Sequence, residues 1–151
     1  MIKLIPTRYD VYIVVRDDNA FNVMNKNGHV LYDDWFKFIG DFYDGFADVQ
    51  SADGKWNFID TNGALLSKEW FDIVGGFSSG FVPVKKNGLG WNFLSHKGEI
   101  TLKEWFDDVW CLYQGEAHVV KNGESFYVDM CGEHYDESLY ASWFKYNYKK
   151  F

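Results

Sequence analysis

The chain has 151 residues, 21% of them aromatic, and a formal net charge of −7; it is about one domain long, and so many rings require heavy aromatic packing. The acidic balance leaves no basic stripe for nucleic-acid phosphates or an anionic membrane surface. No apolar run is long enough to span a bilayer, and Met1-Ile2-Lys3-Leu4-Ile5-Pro6 lacks the apolar stretch of a signal peptide, so a cytoplasmic location is expected.

A repeat organises everything that follows. Trp35, Trp70 and Trp105 stand 35 residues apart, each followed by Phe (Phe36, Phe71, Phe106). The same step carries Asn22, Asn57 and Asn92; Gly28, Gly63 and Gly98; and Gly45, Gly80 and Gly115. Val14, Val49, Val84 and Val119 extend it to a fourth copy. Such self-similarity marks a repeat architecture. The units run about 11–45, 46–80, 81–115 and 116–151 within a single repeat domain spanning 1–151. The first has Phe21 where the next two have Trp56 and Trp91. The fourth reads as keeping Phe126 in that column and then losing one residue, so that Gly132 lies 34 after Gly98. Its Trp-Phe pair reappears at Trp143-Phe144. Terminal copies are expected to depart from the pattern because they cap the array.

Within a copy, Phe81 to Lys85 reads as a strand, Asn87-Gly88 as a tight turn and Trp91 to Leu94 as a second strand. Lys97-Gly98 makes another turn, and Glu99 to Leu102 a third strand, which predicts a three-stranded antiparallel meander. Trp70, Phe71, Val74 and Phe77 follow helical spacing, but Gly75-Gly76 interrupts them; one helical turn or an irregular loop is expected there. A meander this small cannot bury its own apolar face. The fold class is therefore all-β, with meanders stacked as an open twisted solenoid in preference to a propeller-like ring. The aromatic tail, Leu139 to Phe151, is expected to fold back over the last sheet.

Gly54-Lys55-Trp56-Asn57-Phe58-Ile59-Asp60, with Gly63, Trp70-Phe71-Asp72, Val74, Phe77, Gly80-Phe81 and Val84 after it, resembles the WG-repeat (tryptophan-glycine repeat) proteins of bacteria and their phages. The likeness covers roughly residues 11 to 133. The family's Gly after Trp is replaced by Asn here, at Asn22, Asn57 and Asn92. The resemblance implies an architecture of tandem β repeats and no single activity.

No GxSxG, P-loop or GxGxxG motif occurs. His29, His96, His118 and His134 lack metal-ligand spacing, with His29 and His134 in equivalent columns. Cys111 and Cys131 lack CxxC spacing and read as free thiols. The linker acids Asp33-Asp34, Glu69, Asp72, Glu104 and Asp107-Asp108 recur with the repeat, unlike a unique catalytic constellation. No catalytic residue, metal site or cofactor is expected. Trp35, Trp56, Trp70, Trp91 and Trp105 are assigned to packing. Asn22, Asn57 and Asn92 are expected to form an amide ladder along the stack.

Four residues are candidates for binding. Phe46 and Phe81 would form an aromatic stripe in a column that continues to Glu116. Trp110 takes the column of Gly40 and Gly75, and His118 that of Asp48 and Pro83. Together these features lead to a non-enzymatic interaction module that binds another protein, with a carbohydrate or small-ligand binder as the alternative.

Overall fold

The computed structural model describes residues 2–140. The expected docking of the aromatic tail onto the last sheet lies beyond Tyr140, outside these residues. The described chain is all-β, with four small antiparallel sheets of three or four strands. It forms two compact units, Met1–Val74 and Gly75–Phe151.

In the first unit, β1 (Lys3–Pro6), β2 (Val11–Val15) and β3 (Phe21–Asn25) make one sheet. A second sheet holds β4 (Phe38–Ile39), β5 (Phe46–Gln50) and β6 (Trp56–Asp60), and β7 (Ile73–Val74) ends the unit. In the second unit, β8 (Phe81–Lys86) pairs with β9 (Gly90–Ser95). The last sheet runs β10 (Asp108–Tyr113), β11 (Glu116–Lys121), β12 (Glu124–Asp129), β13 (His134–Tyr135) in order.

Period-two burial explains the long strands: Ala47 and Val49, Val82 and Val84, and Ala117 and Val119 are all fully buried. Asp44-Gly45, Ser79-Gly80 and Gln114-Gly115 join these strands to the ones before them. Both residues of each pair have positive φ (52° and 84°, 50° and 86°, 48° and 80°), as type I′ turns require, which accounts for the glycine column.

The linker is not the helical turn that its spacing predicts. Phe36, Phe71 and Phe106 are each in extended backbone, exchanging two main-chain hydrogen bonds with Phe21, Trp56 and Trp91. The next residue then enters the following sheet, where the Lys37 N–H donates to the Gln50 carbonyl and the Asp107 N–H to the Val120 carbonyl, both at 2.8 Å. A single turn of helix would leave most of these groups unpaired, whereas the extended path satisfies them on both sides. Trp35, Trp70 and Trp105 are all half-buried and precede a phenylalanine that is 2%, 0% and 1% exposed.

The asparagine column forms no ladder. Asn22 Nδ2 donates to the carbonyls of Tyr32 and Asp34, Asn57 Nδ2 to those of Ser67 and Glu69, and Asn92 Nδ2 to those of Leu102 and Glu104. Each Oδ1 accepts from the next residue's N–H and from the N–H ten residues on. Two donors and two lone pairs are thus filled inside one repeat, leaving none for stacking. This staple also explains why the strand expected at Glu99 to Leu102 reduces to the bridge Leu94–Ile100: Asn92 captures both backbone groups of Leu102 and turns the chain aside.

In the first unit, Val11, Ile13 and Val23 from the first sheet share a core with Ala47, Val49 and Ile59 from the second. In the second unit, Phe93 of β9 shares a core with Ala117, Val119 and Val128.

The fourth copy is framed differently from its sequence reading. The missing residue falls in the Asn122-Gly123 turn, a two-residue loop between Lys121 and Glu124 with φ of 52° and 80°. Phe126 therefore sits opposite Val119 as Asn57 sits opposite Val49, so it occupies the asparagine column and the staple is lost. His134, opposite Val128, falls in the column of Leu65 and Ile100, not that of His29.

Candidate interaction surface

Because Ala117 and Val119 face the core, His118 between them points to the other side of the last sheet. Its cross-strand partner is Tyr127, which pairs in turn with Tyr135 on β13. On the opposite flank it meets Cys111 and the indole of Trp110. The His118 ring stacks on Tyr127 at 4.2 Å between centroids, and Trp110 meets it edge-on at 4.6 Å. Each of the four strands thus contributes one ring to a row across this face.

Register shows why the row is special. Ile13–Val23, Asp48–Phe58, Pro83–Phe93 and His118–Tyr127 are equivalent cross-strand pairs. Val23, Phe58 and Phe93 are only 0%, 3% and 0% exposed. Tyr127 is half-buried, and no further sheet follows it among the described residues.

Trp110 fits where glycine stood because the backbone changes. Gly40 and Gly75 lie flat against the next strand, their N–H groups donating to the Asp48 and Pro83 carbonyls at 2.8 Å. A Cβ at Gly75 would come within 2.7 Å of the Pro83 ring, and one at Gly40 would collide with the Asp48 carboxylate. In β10 a bulge intervenes: Val109 pairs with Val119 and Cys111 with His118, so Trp110 is the extra residue. It is 58% exposed. The sequence marks Trp110 as a break in the column, but nothing in it marks the bulge.

The other candidates lie elsewhere. Phe46 and Phe81 are half-buried, and their column ends in buried Glu116, whose Oε2 accepts the Leu139 N–H at 2.9 Å, so it presents no exposed aromatic stripe. Trp56 and Trp91 are half-buried. Cys111 and Cys131 are free and exposed. Among the described residues, no group of three or more His, Cys, Asp or Glu gathers to hold a metal ion.

Sequence reasoning misses a charged cluster under the inner edge of the sheet. Glu104 spans Lys121 Nζ at 2.9 Å and His134 Nε2 at 2.8 Å, and the His134 ring lies 4.5 Å from that of Phe126. The Lys121 hydrogen bond, with that of His134 behind it, holds the Glu104 carboxyl below its ordinary range. On the outer side Tyr135 donates its hydroxyl to Asp129 at 2.9 Å, which pushes the phenol up. Burial opposes ionisation of Asp129, but hydrogen bonds from the Glu133 N–H, the Tyr135 hydroxyl and the Cys131 N–H hold it below its usual value. The partners of Glu104 lie 17 and 30 residues away in sequence and form no local motif.

The WG containing repeat family model matches residues 23–56 and 58–89. No curated protein matches the chain. Among solved structures, the crystal structure of the computationally designed Ika8 protein is similar at 13% identity and a TM-score of 0.44, over 89% of this chain and 48% of that one.

Proposed function

Taking as premise that the chain carries WG containing repeats, we propose that it is a non-enzymatic interaction module whose contact surface for a partner protein is the outer face of the last sheet. The carrying observation is Trp110, 58% exposed at a position where the two preceding copies have glycine. A solvent-facing indole at the end of an amphipathic ring row is the side-chain type that dominates binding energy at protein interfaces. The test is differential capture. A partner retained by the native chain and by Leu89→Ala, at an exposed site in the second unit, should be lost with Trp110→Ala. Equal capture by all three would refute the assignment.

A second reading takes a carbohydrate on the same face. It is favoured by the protrusion of Trp110 from the β10 bulge, in a column where flat pairing with the next strand leaves Gly40 and Gly75 no room for a side chain, so that an indole face is open to a sugar ring. A glycan panel titrated against tryptophan fluorescence separates the two, since only a sugar ligand changes the Trp110 emission without any protein partner.

A further inference from the structure

We infer that the partner segment taken by the outer face of the last sheet is basic, an arginine-bearing peptide whose guanidinium lies over the Trp110 indole and pairs with Asp108; this names the chemistry of the partner and rests on the contact-surface reading. Side chains alternate along β10, β11 and β12, so burial sorts them by face. Ala117, Val119 and Val128 are buried in the core, and Val109 and Leu112 pack against it. Their sequence neighbours Asp108, Glu116 and Asp129 are therefore turned to the outer side, with His118, Tyr127 and Trp110. Three strands each give that face a carboxylate. The one lysine of β10 to β13, Lys121, is on the inner side bound to Glu104, and these strands hold no arginine.

Two of these acids are new to the last copy. Asp108 pairs with Val120 as Phe38 pairs with Gln50, and Glu116 pairs with Asp129 as Phe46 pairs with Asp60. Phe38 and Ile73 thus precede Asp108 in its column, and Phe46 and Phe81 precede Glu116 in its own. Glu116 is occupied by the Leu139 N–H and Asp129 by the Tyr135 hydroxyl, both at 2.9 Å. Asp108 is exposed, two residues from Trp110 on the same strand. The first copy shows the full arrangement within the chain: the Arg16 guanidinium lies 4.4 Å from the centroid of the Trp35 ring while it binds Asp18 at 2.7 Å. The outer face has the ring and the carboxylate, and a partner supplies the cation. Arginine suits both, because its plane stacks on an indole and its fork meets a carboxylate. The chain's net charge of −7 favours the approach of such a segment.

The test titrates the full chain against a dye-labelled Arg-Gly repeat peptide and its citrulline-Gly counterpart, which keeps the shape and loses the charge, with fluorescence anisotropy as the readout. The arginine peptide should bind, and the citrulline peptide should bind about tenfold more weakly or less. Trp110→Ala should weaken the arginine peptide about three- to tenfold and Asp108→Asn about two- to fivefold, while Leu89→Ala leaves it unchanged. Asp108→Asn keeps the side-chain oxygen that accepts the Val109 N–H, so the strand beside the bulge is preserved. No binding by the native chain, equal affinity for the two peptides, native affinity in either variant or an equal loss with Leu89→Ala would overturn the inference. A partner captured through Trp110 while the two peptides bind alike removes only the basic chemistry. Capture that survives Trp110→Ala removes the contact surface itself.

Discussion

Asn57 and Ser67 are locked by two hydrogen bonds: Asn57 Nδ2 donates to the Ser67 carbonyl at 2.9 Å, and the Ser67 N–H donates to Oδ1 at 3.2 Å. The same amide holds the Glu69 carbonyl and the Phe58 N–H. Both Asn57 and Ser67 are buried, so water cannot replace these bonds.

Asn57→Ala therefore orphans several buried backbone groups and should cost about 3 kcal/mol in urea denaturation. Asn57→Asp should do no better, because a carboxylate offers acceptors only. Asn62→Ala, at a turn position outside the core, should stay within about 0.5 kcal/mol.

Two glycines with the same sign of φ should respond differently. Gly28 (φ 85°) has open space where a methyl would sit, so Gly28→Ala should cost only the left-handed strain, about 1 kcal/mol. Gly90 (φ 106°) lies against the Phe106 carbonyl, and a methyl there would strike backbone that cannot move aside. Gly90→Ala should lower stability by about 3 kcal/mol, read from the same denaturation curves.

Burial, reinforced by Asp41, pushes the Asp48 carboxyl above its ordinary range. An acid raised in the fold keeps its proton longer there than in the unfolded chain. It therefore costs nothing below its unfolded value, and its destabilising effect grows as pH rises from there to the folded one, above which it is complete. Asp48→Asn should raise the melting temperature at neutral pH, and the gain should vanish below about pH 3.5. A gain that is equal at both pH values would show that the carboxylate charge is not the cause.

Trp110→Ala should cost about 1 kcal/mol or less, since the ring is mostly solvated and loses chiefly its edge contact with His118. Phe106→Ala, at 1% exposure, should cost about 3–5 kcal/mol. Thermal melts of the two variants test the division between surface and core.

Much of this architecture is legible in the sequence because side chains that recur at one interval meet the same surroundings. The Gly45, Gly80 and Gly115 column marks type I′ turns, and the Trp-Phe pairs mark a half-buried ring followed by a fully buried one. The role of the asparagines is hidden because their partners are main-chain groups ten and twelve residues away, which no pattern of side chains reveals. The frame of the fourth copy is hidden because Phe126 mimics the tryptophan column, while the lost residue falls in a turn. Trp110 stands out as a broken column, yet its exposure depends on a bulge that only the register of Val109 and Cys111 discloses.

Hydroxyl-radical footprinting of the full chain tests most directly whether the outer face of the last sheet is an open contact surface. Trp110 should be oxidised several-fold faster than Trp35, Trp56, Trp70, Trp91 and Trp105, all of them half-buried. Labelling of Trp110 at the same rate as those five would mean that this face is covered, and would contradict its assignment as the site where a partner docks.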